Sequence, residues 1–185
     1  MKRTILSFTL AIVALCGCAA GGSKENKTEK SDGTTEATQV ENNDSEAPEE
    51  LTGLAPDFTL DDINGKPLTL SSLRGKYVIL DFWGSWCGWC IKGIPMMKEY
   101  YAKYAGKFEI LGIDCNDTPE KWKEAVAKYE LPWLHVYFTR ESTVLADYAI
   151  QGFPTKIVVD PDGNIVKTII GEDPAFYEFL DELFK

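Results

Sequence analysis

The chain has 185 residues, with 29 acidic and 19 basic side chains and a formal net charge of −10 at pH 7. This length is enough for one domain of ordinary size with appendages. The acidic balance argues against nucleic-acid binding, which requires basic surface. Residues 23–50 carry nine acidic residues and three lysines, whereas residues 51–185 carry twenty acids and fourteen bases. We therefore predict a solvated acidic tail followed by a domain with an ordinary acidic surface.

The N-terminal segment has the features of an export signal. A basic start precedes an apolar run of about eleven residues, Ile5–Leu15, too short for a bilayer that needs roughly 20, so it is a secretory signal rather than a membrane span. It ends in Leu15-Cys16-Gly17-Cys18-Ala19-Ala20, which resembles the bacterial lipoprotein processing box. We predict a lipoprotein signal over 1–18 and lipidation at Cys18. The alternative is a soluble secreted protein cut near Ala19 or Ala20.

Residues 19–50 are predicted to be a disordered acidic tether. They are rich in Gly, Ser, Thr, Glu, Asn and Lys, and Val40 is their only large aliphatic residue. Such a segment buries too little apolar surface to offset chain entropy. About 30 flexible residues have a root-mean-square reach of roughly 30 Å. The tether either lets a folded domain at 51–185 reach partners near the membrane, or serves only as a solubilising spacer.

The folded domain begins with a predicted hairpin and a buried strand. Two short alternating runs, Ala55–Leu60 and Lys66–Leu70, flank Asn64-Gly65, a strong turn signal. Tyr77–Trp83 follows as a continuous apolar run interrupted only by Asp81. A run that is apolar on both faces suits the middle of a sheet covered by helices, where a carboxylate is costly unless it has a function.

A Cys-x-x-Cys pair comes next, Cys87 and Cys90, at the start of a helix predicted over Ile91–Ala105. At this place the first sulfur lies beside unpaired N–H groups and the positive end of the helix dipole, which favour the thiolate. The same spacing is half of a zinc site, but that needs a second ligand pair. Beyond the first twenty residues, the only other cysteine is Cys115 and the only histidine is His135. We predict redox use, with Cys115 as a buried filler or a regulatory thiol, and His135 as structural.

The rest of the chain alternates strands and helices. Thr118-Pro119 is a helix N-cap followed by proline at the first helical position. Gly-Phe-Pro-Thr at 152–155 precedes the last strand pair. The predicted elements are strand 107–114, helix 119–130, strand 135–138, a short helix 143–150, strands 156–160 and 164–170, and a final helix from Pro174.

Four separated segments resemble the thioredoxin superfamily, in particular its membrane-tethered TlpA/ResA-like branch. They are the run from Asp81 to Cys90, the hairpin entry, the extra helix and strand at 118–138, and the loop ending in Pro154-Thr155. The resemblance covers about 51–185. It implies an α/β fold, a thioredoxin-like three-layer sandwich. A central mixed sheet would have helices on both faces, an extra N-terminal hairpin and an inserted helix and strand before a cis-proline loop.

The resemblance also implies roles for individual residues. Cys87 would be the nucleophile and Cys90 the resolving cysteine of a redox disulfide, with Asp81 as proton acceptor through a water and Pro154 in a cis-proline loop. Thioredoxins hold a lysine near this aspartate on the next strand, but Ile110 stands at the matching place here. No metal or other cofactor is implied. Predicted substrate-binding residues are Trp86, Gly88, Trp89, Phe153 and Thr155.

The sequence thus predicts an extracytoplasmic thiol–disulfide oxidoreductase, anchored by lipid and facing the periplasm or cell exterior. By the resemblance, its substrates would be disulfide-bearing envelope proteins, with apocytochrome c as one candidate, and its reductant would be a membrane thiol donor. We also predict a monomer. Three alternatives stay open: a peroxiredoxin-like peroxidase, a non-enzymatic copper or haem carrier using the same thiols, and a redox-silent lipoprotein. A peroxiredoxin needs Thr or Ser three residues before its reactive cysteine, where this chain has Gly84.

Overall fold

The computed structural model of the protein describes residues 52–185. The predicted signal, the lipidation of Cys18 and the tether over 19–50 lie outside these residues. Among the described residues, no helix is both long and apolar enough to cross a membrane.

The described residues form both strands and helices. The elements are β1 Gly53–Leu54, β2 Thr59–Asp61, β3 Pro67–Thr69, a 3₁₀ turn Leu70–Leu73, β4 Tyr77–Trp83, α1 Gly88–Lys103, β5 Phe108–Asp114, α2 Pro119–Lys128, β6 Leu134–Tyr137, α3 Val144–Asp147, β7 Thr155–Val159, β8 Asn164–Ile170 and α4 Pro174–Phe184.

Six strands form a mixed sheet in the order β1-β8-β7-β4-β5-β6. β4, β5 and β6 run parallel to one another, whereas β7 and β8 add to the sheet as antiparallel strands. β4 is therefore hydrogen-bonded on both edges, as its unbroken apolar sequence predicts. The predicted α/β sandwich with a central mixed sheet is confirmed.

Alternate residues of the strands pack against two different layers, as expected for a two-residue repeat. On one face, α1, α2 and α4 cover the sheet through Met97, Trp122, Val126, Phe176 and Leu180, which pack on Ile79, Ile110 and Val158. On the other face, the hairpin, the 3₁₀ turn and α3 cover Val78, Leu80, Phe82, Leu111 and Ile113. Helices lie on both faces, but the three long ones share the face that contains the cysteine pair.

The predicted N-terminal hairpin is present as a separate two-stranded sheet of β2 and β3. Its turn is built around Asp62 rather than around a two-residue Asn-Gly turn. One carboxylate oxygen of Asp62 accepts hydrogen bonds from the backbone N–H of Asn64 and of Lys66, each at 2.8 Å. Gly65 has a φ of 74°, a conformation that glycine adopts without steric cost. The side chain of Asp62 thus determines the loop length.

Most element boundaries lie within a few residues of the predictions, and three differences concern α1, α3 and β1. α1 begins at Gly88 rather than Ile91, because Cys87 caps it and brings Cys90 into the first turn. α3 spans only Val144–Asp147, and the chain then turns through Ala149, whose φ is 48°. β1 was not predicted; it pairs with the start of β8, and two residues are too short to show a periodic pattern.

Candidate active site

The two predicted cysteines form a disulfide across the first turn of α1. The S–S distance between Cys87 and Cys90 is 2.04 Å, and their Cα atoms are 5.2 Å apart. Sγ of Cys87 accepts a hydrogen bond from the backbone N–H of Cys90 at 3.1 Å. A thiolate at Cys87 in the reduced form would have the same donor and the positive end of the helix dipole, both of which stabilise it. The residues are only 6% and 7% exposed, so little of the disulfide is accessible to a substrate.

The loop before the disulfide is fastened to the end of the neighbouring strand. The backbone N–H and the hydroxyl of Ser85 donate to the carboxylate of Asp117 at 2.6 and 2.7 Å. The indole N–H of Trp86 donates to the carbonyl of Cys115 at 2.8 Å, and the N–H of Cys115 donates to the carbonyl of Trp83. These contacts fix the approach to the cysteine pair independently of the sulfur–sulfur bond.

An exposed aromatic rim lies beside the disulfide. Trp86 is 51% exposed and Trp89 is 61% exposed, and the Trp86 ring meets the Phe153 ring edge-on with centroids 5.2 Å apart. Gly88 is exposed as the first residue of α1. Nζ of Lys92 lies 4.6 Å from the centroid of the Trp89 ring, which places this lysine on the rim rather than over a sulfur. Four of the five predicted substrate-binding residues are therefore at one accessible surface.

The predicted proline loop is present, and the Phe153–Pro154 bond is cis. The carbonyl of Pro154 accepts from the N–H of Gly171 at 2.7 Å, and the Trp86–Phe153 ring contact brings the loop against the cysteine motif. Thr155 does not have the exposed side chain expected of a substrate-binding residue. It is 2% exposed, and its hydroxyl donates to the carbonyl of Gly152 at 2.8 Å. Its side chain shapes the loop from inside, because burial keeps it from the surface that a substrate meets.

Asp81 lies on β4 between Ile79 and Trp83, on the sheet face that also packs the two cysteines. Its Oδ1 atom is buried and has no hydrogen-bond partner among residues 52–185. Burial raises the pKa of the Asp81 carboxyl, Lys156 lowers it and Glu172 raises it again. A carboxyl with a raised pKa suits a proton acceptor near neutral pH, and that role of Asp81 stays a prediction.

Sequence reasoning missed Lys156, which stands directly across from Asp81 in the β4–β7 register. Lys156 is 3% exposed, and its Nζ is 2.8 Å from Oε2 of Glu172. The sequence of β7 nevertheless indicates that this lysine is buried. Val158 shares its face with Lys156, and residues 157 and 159 make the opposite face apolar too, so a central strand leaves this lysine no path to solvent.

Two further buried titratable groups are Asp114, the last residue of β5, and His135 in β6. Burial, and next the neighbouring Asp117 carboxylate, raise the pKa of Asp114 to about 8. Burial lowers the pKa of His135 to about 4, and its ring packs between Trp83 and Trp133 with both centroids 6.1 Å away. His135 is therefore a structural residue of the core, as predicted.

Cys115 is fully buried, and burial raises the pKa of its thiol. A thiol that resists ionisation is a poor nucleophile. Its Sγ donates to the carbonyl of Ile113 at 3.4 Å. These observations favour the interpretation of Cys115 as a filler over that of a regulatory thiol. Within residues 52–185, no cluster of three or more His, Cys, Asp or Glu side chains is arranged to hold a metal ion.

Replacing Asp114 by asparagine is expected to stabilise the protein increasingly as pH rises. Because the folded-state pKa of about 8 lies above the ordinary value of 3.8, the folded protein binds more protons in that window and the wild type loses stability from about pH 4 to about pH 8. One pKa unit corresponds to about 1.4 kcal/mol, and we expect a gain of at least that size at pH 8.

Urea unfolding of wild type and Asp114→Asn at pH 5 and pH 8 measures this. The exposed Asp162→Asn is the control and should change stability equally little at both values. A gain from Asp114→Asn that is the same at pH 5 and pH 8 would contradict the prediction.

Comparison with known proteins agrees with this geometry. The thiol-disulfide oxidoreductase ResA of a Bacillus cereus strain is 39% identical over 119 residues, which are 64% of this chain and 68% of the relative. The thioredoxin domain of a thiol-disulfide oxidoreductase from Bacteroides vulgatus superposes with a TM-score of 0.66 at 32% identity, covering 72% of this chain and 96% of that one. A thiol:disulfide interchange protein from Bacteroides sp. gives a TM-score of 0.66 at 32% identity, over 72% and 89% of the two chains.

The fold, the helix-capping disulfide and these relatives together define a thioredoxin-like thiol–disulfide oxidoreductase. Residues 52–168 match the AhpC/TSA family, and the chain belongs to that family. The match begins with the first described residue and continues into β8, so it includes the cysteine pair and the proline loop.

Proposed function

We propose that the protein reduces disulfides of other proteins outside the cytoplasm. The observation that supports this best is the hydrogen bond from the N–H of Cys90 to Sγ of Cys87 at the helix N terminus. This donor favours a thiolate at the first cysteine, and the thiolate is the attacking species in disulfide exchange. The exposed rings of Trp86 and Trp89, with the partly buried ring of Phe153 against Trp86, offer an apolar surface to the substrate beside the sulfur.

The reaction proceeds in two exchanges. The thiolate of Cys87 attacks one sulfur of a substrate cystine, forming a mixed disulfide and releasing the other substrate sulfur as a thiolate. Cys90 then loses its proton to Asp81 and attacks Cys87, which closes the Cys87–Cys90 bond and releases the second substrate thiolate. Two electrons pass from the enzyme dithiol to the substrate. A membrane thiol donor then reduces the enzyme disulfide again.

The cellular setting of the proposal comes from the N-terminal sequence. A short apolar signal, a processing box at Cys18 and a polar tether at 19–50 support an exported protein held at the membrane by lipid. Disulfide-bearing envelope proteins are then the available substrates, and apocytochrome c, whose thiols must be reduced, is one candidate.

The space around Gly84 bears on the peroxidase alternative, which the match to the AhpC/TSA family keeps relevant. A peroxidase of that kind needs a hydroxyl three residues before its reactive cysteine, where this chain has Gly84. A Cβ atom at Gly84 would collide with Nε1 of Trp86 and would lie 2.8 Å from the carbonyl of Cys115. The site therefore has no room for a Thr or Ser side chain, which favours disulfide exchange over peroxide reduction.

Full-length wild type and Cys18→Ala, expressed in a bacterium with lipoprotein processing, test the location and the direction together. We expect wild type in the membrane fraction and Cys18→Ala among soluble exported proteins. The wild-type pair should have a reduction potential nearer to about −270 mV, that of thioredoxin, than to about −120 mV, that of a strong oxidant. Cytoplasmic wild type, or a potential at the oxidant end, would refute the proposal.

A further inference from the structure

A buried cation lies between two acidic groups beneath the disulfide. Lys156 is directly across from Asp81 in the β4–β7 register, and side chains at such positions are about 5 Å apart at Cβ. Nζ of Lys156 is 2.8 Å from Oε2 of Glu172, with the two side chains 3% and 14% exposed. Burying charge is costly unless partners compensate for it, so an ammonium at this depth requires an explanation.

The second carboxylate is held firmly in place. The hydroxyl of Tyr177 donates to Oε1 of Glu172 at 2.6 Å, while Lys156 donates to Oε2. The Glu172 carboxylate also lies against the backbone of α1 at Gly93, where an added Cβ atom would collide with it. Gly93 is three residues after Cys90, about one helical turn along. Glu172 therefore packs against the same helix that carries the resolving cysteine.

The charges around Asp81 are unequal in number. The titratable groups that interact with Asp81 are Lys156 from β7, Glu172 from the turn after β8, Tyr177 from α4 and the thiol of Cys115 after β5. The cysteine pair packs on the same sheet face as Asp81. Lys156 has a short ion pair with Glu172, while Oδ1 of Asp81 has no hydrogen-bond partner in the described part of the chain. The ammonium of Lys156 is thus paired with Glu172, and Asp81 experiences only part of its attraction.

We propose that Lys156 and Glu172 are positioning residues that keep Asp81 able to take up, and then return, the proton of Cys90. The role rests on the proposed function, because it serves the second exchange of that reaction. In this step the S–H bond of Cys90 breaks, its proton goes to the Asp81 carboxylate, and the Cys90 sulfur forms a bond to Cys87 while the substrate sulfur leaves with the electron pair. Lys156 replaces, from β7, the cation that Ile110 does not supply from β5.

The two residues act on Asp81 in opposite directions. Lys156 lowers the pKa of the Asp81 carboxyl and Glu172 raises it. Removing the Glu172 charge frees Lys156 to pair with Asp81, so the carboxyl becomes more acidic. Removing the Lys156 charge leaves two carboxylates together, so Asp81 holds its proton to higher pH. An ion pair that only packs the helix against the sheet would leave the pH midpoint of mixed-disulfide resolution unmoved.

The test measures the resolution rate of a preformed mixed disulfide between Cys87 and a small thiol as a function of pH, with tryptophan fluorescence as the signal. Opposite-charge neighbours shift a carboxyl pKa by about 1–3 units. We expect the midpoint of the profile to fall by about one unit in Glu172→Gln and to rise by about one unit in Lys156→Met. Lys156→Arg, which keeps the charge, should stay near wild type.

Two further measurements make the outcome decisive. The double variant Lys156→Met/Glu172→Gln removes the ion pair without leaving a lone charge, so it should fold and give a midpoint between those of the single variants. The exposed pair of Lys103 and Asp181 provides the control, and Lys103→Met should leave the midpoint unchanged. Carbon-13 NMR titration of the Asp81 carboxyl in the folded variants reports the same shifts without any substrate.

The inference is overturned if the single variants shift both the profile and the Asp81 titration in the same direction, or shift neither. A protein that fails to reduce any protein cystine, yet shows opposite Asp81 shifts by NMR, would refute the proposed function while leaving the charge arrangement established. Slower resolution at every pH with an unmoved midpoint would show a structural role and would also overturn the inference.

Discussion

Replacing Cys87 by serine is expected to reduce the rate of protein disulfide reduction to that of the uncatalysed reaction. A serine hydroxyl at this position would still accept from the N–H of Cys90, as Sγ does at 3.1 Å, but it does not form the thiolate on which exchange depends. Reduction of a fluorescent cystine-bearing protein, with excess dithiol as the electron source, measures the effect. Cys115→Ala is the matched control, because Cys115 is fully buried with a raised pKa, and should retain wild-type turnover.

Cys90→Ser should give the complementary result. With the resolving thiol absent, the mixed disulfide on Cys87 accumulates as one substrate per chain and is released by dithiothreitol. Mass spectrometry of the trapped adducts identifies the substrates. Adducts that form on Cys115 in place of Cys87, or a Cys87→Ser variant that turns over at the wild-type rate, would contradict the assignment of the nucleophile.

Replacing Asp81 by asparagine is expected to slow resolution of the mixed disulfide by roughly 10²–10⁴-fold, the usual contribution of a positioned proton acceptor. The first exchange should be affected much less, because Cys87 is stabilised by the helix terminus rather than by this carboxyl. Single-turnover kinetics separate the two steps. The pH dependence of resolution should flatten, since asparagine does not titrate.

The same variant should be more stable than wild type at neutral pH. The pKa of Asp81 is raised in the folded protein above its ordinary value of 3.8, so the folded state binds more protons and the wild type loses stability as pH rises above about 4. Asparagine removes that loss. Asp162→Asn, on an exposed turn, controls for a general effect of charge. Equal resolution rates with unchanged stability would show that Asp81 has neither role.

The sequence was informative where one local rule decided the structure. The apolar run of β4 predicted a central strand, the Thr118-Pro119 pair predicted the start of α2, and the cysteine spacing allowed a disulfide within one helical turn, all as the structure has them. In the final helix the periodicity predicts a buried face of Phe176, Phe179, Leu180 and Phe184. Phe176, Leu180 and Phe184 are buried, Phe179 is only partly buried, and Tyr177 is buried as well. These features depend on contacts between neighbours along the chain, which the sequence displays directly.

The remaining features depend on contacts between distant segments. Lys156 and Glu172 are sixteen residues apart, and both reach Asp81 only because β7 pairs with β4. The burial of Thr155 follows from the fold of its own loop against β8. A single sequence indicates that Lys156 is buried among apolar neighbours, but not which strand pairs with which, so its position opposite Asp81 could be assigned only with the sheet order known.

The fastening of Ser85 and Trp86 to the segment after β5 bears on the whole catalytic cycle. A loop anchored in this way does not need the Cys87–Cys90 bond to keep its conformation. The disulfide can then be reduced and re-formed while the surrounding backbone keeps its conformation, so each turnover requires little rearrangement. A spectrum of the backbone amides should therefore differ between oxidised and reduced protein only around the first turn of α1.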